Sequence, residues 1–206
     1  MIINEDKFVL STQNYVGKEN IKKQIVIGHT FNHDMRHAIG WLHRHNGHYK
    51  KTAAFSIDAA GFVYKHFDPK YQSEIFNDKH LDDRSIVILL ENDGWLIKNN
   101  KNEFITWNGD IYKKNPDIVR VKWRGYEHWA PYTSKQVESA GNLINHLCDD
   151  FSIPLNVISH NTKVAGLKDY EGIIYRSNLD MNNTDLSPAF NFSEFKEMIE
   201  NKTILK

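Results

Sequence analysis

The sequence has almost no cysteine, no long apolar run and no excess of charge of either sign. A single cysteine, Cys148, excludes an intramolecular disulfide framework. No apolar run approaches the roughly 20 residues that cross a bilayer, and residues 1–7 lack the basic and apolar regions of a signal peptide. Lys+Arg and Asp+Glu number 26 each, so the composition gives no indication of nucleic acid or membrane as a partner. We expect synthesis in the cytoplasm without a signal peptide.

What is present suits one domain of mixed secondary structure. A chain of 206 residues that is 40% hydrophobic can bury a sizeable core, and we expect a single domain over 1–206 with its core at about 24–200. Short apolar runs at 24–27 and 85–90 predict buried strands, and 53–57 with 61–67 predicts a hairpin. Strands interspersed with helices predict an α/β fold, with a mixed central β-sheet flanked by helices.

Three segments have the apolar spacing of helices. Residues 34–45 predict one helix, with Asn46 and Gly47 as its stop. Thr133 followed by Gln136 predicts a capping box at the start of a second helix that ends near Asp149. Residues 193–199 predict a short closing helix. Between these helices, residues 95–129 predict a short hairpin and a long loop.

Three polar residues stand where a metal site could form. His29 and His160 each follow an apolar run, and Asp185 lies in a Pro-containing loop at 183–190. Two neutral imidazoles and one carboxylate, with a fourth position open to water, are what a hydrolytic zinc centre requires. If the three residues meet in space, the pattern predicts a metal-dependent hydrolase.

Taken in order, these segments resemble the type 2 N-acetylmuramoyl-L-alanine amidases, the group that includes phage lysozyme-type amidases and peptidoglycan recognition proteins. The resemblance implies an enzyme with one Zn²⁺ in a groove that binds the glycan–peptide junction of peptidoglycan. It implies cleavage of the amide between N-acetylmuramic acid and L-alanine, by a phage-encoded or virion-associated protein that acts on the bacterial cell wall. The resemblance rests on residues 25–30, 55–58, 61–64, 85–88, 132–136, 157–160 and 184–190.

By this resemblance the zinc ligands are His29, His160 and Asp185. The family's first ligand usually directly follows the apolar run, and here that place is Gly28. His29 is one step later and needs a bulge or a strand end to face the same way. Arg176 competes with His160 for the second ligand position. We expect His160, with 164–175 as an insertion.

Two further departures concern catalysis. The glutamate that many members carry on the strand at 85–90 corresponds to Leu89, and we expect Glu91, two residues on, to carry the proton. The lysine that often precedes the third ligand corresponds to Asn183, and Arg176 or Lys163 could stabilise the oxyanion instead. These departures leave two other interpretations open: a non-catalytic peptidoglycan-binding or virion structural module, and a hydrolase of another amide on the same scaffold.

Aromatic residues are concentrated in 95–129. Indole faces can stack on sugar rings, whereas buried aromatic side chains simply fill a core or cover a sheet edge. Both interpretations stay open, with Trp107 and Trp129 as the candidates for sugar contact.

Overall fold

A computed structural model describes residues 2–44, 49–114 and 116–204. Its strands are β1 (Ile3–Asn4), β2 (Gln24–His29), β3 (Phe55–Ile57), β4 (Val63–Lys65), β5 (Ser85–Leu90), β6 (Trp95–Lys98), β7 (Phe104–Ile105), β8 (Val119–Trp123), β9 (Tyr126–Trp129) and β10 (Gly172–Tyr175). They form a six-stranded mixed central sheet in the order β1-β4-β3-β5-β2-β10, beside a four-stranded sheet in the order β7-β6-β9-β8. This is the predicted α/β architecture.

Strands β5, β2 and β10 are neighbours that run parallel to one another, with β10 at one edge of the central sheet. Every residue of these three strands is buried. Both faces of these strands are therefore covered, which is why they appear in the sequence as continuous apolar runs rather than as alternating patterns. The runs predicted at 24–27 and 85–90 are confirmed, and the carboxyl ends of all three strands meet at one edge of the sheet.

Helices cover the central sheet. They are α1 (Arg36–Leu42), α2 (Lys79–Arg84), α3 (Ser134–Phe151), α4 (Arg176–Leu179) and α5 (Phe192–Ile204). Helix α3 turns Ala140, Leu143 and Leu147 into the core, and it packs against α5. None of the described helices is long and apolar enough to cross a membrane.

The predicted cap of α3 is half correct. The Thr133 hydroxyl accepts a hydrogen bond from the Gln136 backbone N–H at 3.1 Å. The Gln136 side chain does not reach back to residue 133. It donates instead to the backbone carbonyls of Ile57 and Glu91, each at 2.9 Å, and so ties α3 to the ends of β3 and β5.

Two helix and loop predictions need correction. Helix α1 begins at Arg36 rather than at residue 34, because Asp34 and Met35 have φ of 55° and 53°, in the left-handed region; its predicted stop at Asn46 and Gly47 lies outside the described residues. Residues 95–129 form the four-stranded second sheet rather than a hairpin and a loop. Its strands are short, partly exposed and interrupted by an irregular register between Arg120 and Trp123, so they carry no clear period-2 pattern.

The last strand of the central sheet is not the apolar run that precedes His160. Residues 157–160 contribute only an isolated bridge from Val157 to Ile173. The strand beside β2 is β10, Gly172–Tyr175, which pairs with residues 24–27. Residues 164–175 are therefore not simply an insertion, because they contain this strand. Arg176 directly follows it.

Candidate functional site

A cleft of about 970 Å³ opens at the carboxyl ends of β2, β5 and β10. In open α/β sheets the crevice beyond the carboxyl ends of parallel strands is the usual place for a ligand. Leu89 lies on its β5 side and Arg176 on its β10 side. This cleft, called the first cleft below, contains the position where the sequence predicted a zinc centre.

The corner of the first cleft is filled by an ion pair. The Arg176 Nη1 donates to the Asp185 Oδ2 at 3.0 Å, and the Asp185 side chain is only 1% exposed. Gly28 makes room for both groups, because a Cβ added there would lie 2.5 Å from Asp185 Oδ2 and 2.6 Å from Arg176 Cδ. The same Cβ would lie 3.1 Å from Leu89 Cδ2. Glycine at position 28 is therefore what allows the arginine side chain to occupy this corner.

The His29 side chain points away from that corner. The register of β2 against β5 is regular through Gly28 and His29, so no bulge turns residue 29 to the face of residue 28. Its Nδ1 lies 2.7 Å from the Tyr132 hydroxyl, and its ring packs edge-on against Phe31, with centroids 4.2 Å apart. Only the His29 backbone N–H reaches Asp185, at 3.3 Å from Oδ2.

Burial keeps the His29 imidazole neutral. Loss of solvation lowers its pKa to about 4, and the Asp185 charge opposes this shift only in part. The Nε2 atom has no hydrogen-bond partner and faces the backbone of Gly94, where an added Cβ would lie 2.9 Å away. His29 therefore serves as a packed support beneath Phe31, on the opposite face of β2 from Arg176.

His160 lies on an exposed loop. Its Nδ1 is 2.8 Å from the Thr162 hydroxyl, and its backbone carbonyl accepts a hydrogen bond from Asn178 at 2.8 Å. It does not follow the strand that pairs with β2, since that place belongs to Arg176. The structure thus brings Asp185 together with Arg176 and the backbone of His29, and it does not bring the His160 imidazole into that group.

The residues at this corner do not fit a zinc ion. In the described parts of the chain, no three or more His, Cys, Asp or Glu side chains form a group that could hold a metal. A zinc centre needs neutral nitrogen, thiolate or carboxylate ligands, whereas arginine stays protonated and offers no lone pair. Gly28 offers no ligand, and Arg176 places a positive charge where a cation would have to lie.

Glu91 lies in a different place from Arg176. It lines a second cleft of about 600 Å³ together with Asp34, Asp58 and Asp93. The Glu91 Oε2 accepts a hydrogen bond from the Met35 backbone N–H at 3.0 Å, which supports the left-handed turn before α1. Burial raises the pKa of Glu91, and the backbone N–H groups of Met35 and Asp34 oppose this rise. The two predicted catalytic residues, Glu91 and Arg176, therefore line different clefts.

The second sheet holds the loop that carries Asp185. Arg124, in the turn between β8 and β9, donates to the backbone carbonyls of Ser177 and Asp180 at 2.9 Å each, and to that of Asn183. The Asn183 side chain therefore takes no part in this contact. Sequence analysis missed Arg124, because nothing in the local pattern links residue 124 to a loop some 60 residues away.

The lining of the first cleft is positively charged. Six basic side chains face two acidic ones in a chain whose basic and acidic residues are equal in number. Arg36, Lys168 and Arg176 are already paired with carboxylates, whereas no described ion pair involves Lys51 or Lys163. The basic residues are Arg36, Arg44, Lys51, Lys163, Lys168 and Arg176, and the acidic ones are Asp78 and Asp180.

The two tryptophans predicted as sugar contacts have different environments. Trp129 is fully buried and donates its indole N–H to the Val121 carbonyl at 2.8 Å, so it belongs to the core of the second sheet. Trp107 is 55% exposed and lines the first cleft. The core interpretation is therefore correct for Trp129, whereas Trp107 presents an exposed ring to the first cleft.

The fold is that of the cell-wall amidases. N-acetylmuramoyl-L-alanine amidase LysC from Clostridium intestinale URNW superposes with a TM-score of 0.56 at 15% identity, covering 97% of this chain and 98% of that one. PlyL superposes at 0.57 with 11% identity, covering 98% and 96%. AmiD from E. coli, in complex with anhydro-N-acetylmuramic acid-L-Ala-D-gamma-Glu-L-Lys, superposes at 0.53 with 12% identity, covering 94% and 66%.

Comparison of the sequence with family models assigns the chain to a family. The family model described as N-acetylmuramoyl-L-alanine amidase matches residues 18–172, which is more than half of the chain, and the chain belongs to that family. The match ends before Arg176 and Asp185. No curated protein matched the sequence.

Proposed function

We propose that this protein binds peptidoglycan at the glycan–peptide junction, in the first cleft, and does not cleave it by metal-dependent hydrolysis. The observation that carries the proposal is the Arg176–Asp185 ion pair packed against Gly28. It fills the corner with a fixed guanidinium, where the family resemblance leads one to expect two imidazoles around a metal. The proposed site of action is the bacterial cell wall.

The family and the charge of the cleft support peptidoglycan as the ligand. The chain is a member of the amidase family, and the AmiD complex holds a muropeptide whose stem includes a γ-linked glutamate. Such stem peptides carry free carboxylates. The surplus of basic residues around the first cleft, including Lys51 and Lys163, is complementary to that charge.

The groups around the corner also argue against proton transfer there. Leu89 presents an apolar side chain to the first cleft, at the position where many family members carry a glutamate. Glu91 lines the second cleft and is engaged by the Met35 N–H. A general acid or base must come within hydrogen-bond reach of the proton that it moves, and Glu91 faces a different space from Arg176.

Family membership favours a second candidate, the zinc-dependent cleavage of the amide between N-acetylmuramic acid and L-alanine. That candidate requires His29, His160 and Asp185 to move together around Zn²⁺, with Glu91 as the proton carrier and Arg176 at the oxyanion. His29 would have to turn to the opposite face of β2, away from Tyr132. We therefore rank cleavage below binding.

The test measures binding, metal and products on the same preparation. Purified peptidoglycan is incubated with the full chain; bound protein is measured by co-sedimentation, zinc by elemental analysis, and cleavage by new free amino termini and new reducing ends. We expect binding, no stoichiometric zinc and neither product. Stoichiometric zinc with new L-alanine amino termini would establish the second candidate, and an absence of binding would refute the proposal.

A pair of charge-reversal variants localises the binding. Lys51→Glu with Lys163→Glu changes two cleft side chains that have no described ion pair, and it should weaken binding at least about tenfold. The matched control is Lys98→Glu with Lys122→Glu, which changes two exposed residues of the second sheet outside the cleft. Equal loss in both double variants would show that binding depends on net charge alone and would contradict the assignment to the first cleft.

A further inference from the structure

We infer that Trp107 is a platform on which a pyranose ring of the glycan stacks, so that the second sheet supplies the sugar-binding wall of the first cleft. This inference rests on the proposed function, since it assigns part of the same ligand to part of the same cleft. It starts from the exposure of the side chain. Among the exposed large apolar side chains in the described parts of the chain, Trp107 is the one that lines the first cleft.

The indole is held in place rather than loosely exposed. Its Nε1–H donates to the Phe31 carbonyl, in the segment between β2 and α1. The turn that carries it is closed by hydrogen bonds from Thr106 N–H to the Asp110 carbonyl at 2.9 Å and from Gly109 N–H to the Thr106 carbonyl at 3.0 Å. An aromatic ring fixed in this way loses little conformational entropy when a ligand covers it.

The Phe31 residue, whose carbonyl accepts this hydrogen bond, is itself fixed by packing. Phe31 adopts φ of 55°, and its ring packs against His29, which is fixed by Tyr132. Gly94 permits this approach, because a Cβ there would lie 2.8 Å from the Phe31 ring. The segment that accepts the indole hydrogen bond is therefore packed against buried groups.

Planar polar groups line the first cleft together with the indole. Arg36 donates to Asp110 at 2.9 Å, and the Asn108 side-chain amide donates to the same carboxylate at 3.1 Å. Arg36 and Asn108 both line the first cleft. An apolar ring face beside hydrogen-bonding side chains matches a pyranose, which has one face of C–H groups and a rim of hydroxyls.

The composition of this wall favours a sugar over a protein partner. A contiguous exposed apolar patch of several hundred Å² is a common mark of a protein-docking surface. The neighbours of Trp107 in the cleft are instead mostly polar or charged, among them Asn32, Arg36 and Asn108. The stem peptide, with its carboxylates, fits the basic residues Lys51 and Lys163 better than an uncharged indole.

The experiment separates the two halves of the ligand. Binding is measured by calorimetry with peptide-free glycan oligosaccharides, with free stem peptide and with the intact muropeptide. For Trp107→Ala we expect at least a tenfold loss of affinity for the glycan and the muropeptide, with unchanged affinity for the stem peptide. Trp107→Phe, which keeps an aromatic face but loses the anchoring N–H, should recover part of the glycan affinity. Phe62→Ala removes another exposed aromatic side chain, 65% exposed and outside both clefts, and should change nothing.

Thermal unfolding of each variant accompanies these measurements. Unchanged glycan affinity in a folded Trp107→Ala variant would overturn the inference while leaving the proposed function intact. The same loss for stem peptide as for glycan would also overturn it, because the effect would then be a general disturbance of the cleft. Failure of the unaltered protein to bind any of the three ligands would instead refute the proposed function itself.

Discussion

The two clefts lie on either side of α1 and carry opposite charge. Six basic and two acidic residues line the first cleft, whereas four carboxylates, Asp34, Asp58, Glu91 and Asp93, face Lys7 and Lys114 in the second. The balanced composition of the chain hides this separation. Net charge therefore constrains long-range attraction to a polymer such as nucleic acid, and it says nothing about the sign of an individual binding site.

The two clefts also differ in how their buried carboxylates are held, because Asp185 has a basic partner and Glu91 has none among the described ion pairs. In the first cleft Asp185 is neutralised by Arg176. In the second, Glu91 is held by backbone N–H groups, and burial raises its pKa. One cleft thus has a guanidinium paired with a buried carboxylate, and the other has a buried carboxyl group that accepts a hydrogen bond at the start of α1.

The largest expected effect is the gain of a metal. Gly28→His with Arg176→His removes the guanidinium and puts two imidazoles beside Asp185, which completes a three-ligand set. We expect about one zinc per chain in the double variant and none in the unaltered protein, measured by elemental analysis. Gly28→His alone should fold poorly, because its Cβ meets Asp185 and Arg176. Adding Asp185→Asn to the double variant should abolish the gain, and zinc retained there would show that the ion binds elsewhere.

Next in size is the loss of the ion pair. Arg176→Ala leaves the Asp185 carboxylate buried without its counter-charge, and breaking such a pair should lower the free energy of unfolding by about 3 kcal/mol. Urea denaturation measures the change. The control is Arg120→Ala, which breaks an exposed pair with Glu127 and should cost less than about 1 kcal/mol. Similar losses in both variants would mean that the Arg176–Asp185 pair contributes no more than a surface pair.

Two buried groups near the clefts, His66 and Glu91, should also respond to pH in opposite directions. Burial lowers the pKa of His66, beneath the Trp41 wall of the first cleft, to about 4. The stability that the neutral imidazole contributes is fully present above the unfolded pKa of about 6.5. This contribution is lost as pH falls toward 4. Glu91 has a raised pKa, so its contribution is present at low pH and is lost as pH rises through the folded value.

Unfolding free energies at pH 7 and pH 5 test these signs. Between pH 7 and pH 5, the decrease in the free energy of unfolding should be about 2 kcal/mol smaller in His66→Gln than in the unaltered protein. In Glu91→Gln the same decrease should be larger than in the unaltered protein. His43→Gln, which changes an exposed histidine, is the control for both. A pH slope unchanged in His66→Gln would show that this imidazole is already protonated in the folded protein at pH 5.

The smallest expected effect is that of salt. If carboxylates of the stem peptide meet Lys51 and Lys163, raising ionic strength from about 0.05 to about 0.5 M should weaken binding of the stem peptide several-fold, because exposed charges are screened. Binding of the peptide-free glycan, which we assign to Trp107, should change little. Calorimetry at two salt concentrations measures both. Equal salt dependence for the two ligands would contradict the division of the cleft into a basic part and a sugar part.

Sequence reasoning predicted the central sheet well, because β2 and β5 are buried on both faces and their runs are unbroken. It missed β10, since the run at 157–160 resembles it locally and Val157 does bridge to Ile173. The second sheet was missed because its strands are short and half-exposed. Apolar runs reveal strands, but they do not reveal which of two similar runs pairs with a given neighbour.

At the site, the sequence identified Gly28, Leu89 and Asn183 as departures from the family pattern, and the strand parity of His29 as a difficulty. It favoured His160 over Arg176 at the second ligand position. The structure shows that β2 is regular through His29, so the His29 side chain faces away from the side of residue 28. The contact between Arg176 and Asp185 could not be predicted from the local sequence patterns. Their contact depends on β10 pairing with β2, which residue types alone do not specify.

The hydrogen bonds of Arg124 have a consequence for local opening of the protein. Because this side chain joins the β8–β9 turn to the carbonyls of residues 177, 180 and 183, the loop before Asp185 should not open while the second sheet stays docked. Backbone amides of this loop and of β9 should therefore exchange their hydrogens with solvent in one cooperative unit. The time for which Asp185 stays buried is then set in part by a sheet that contributes no atom to the ion pair.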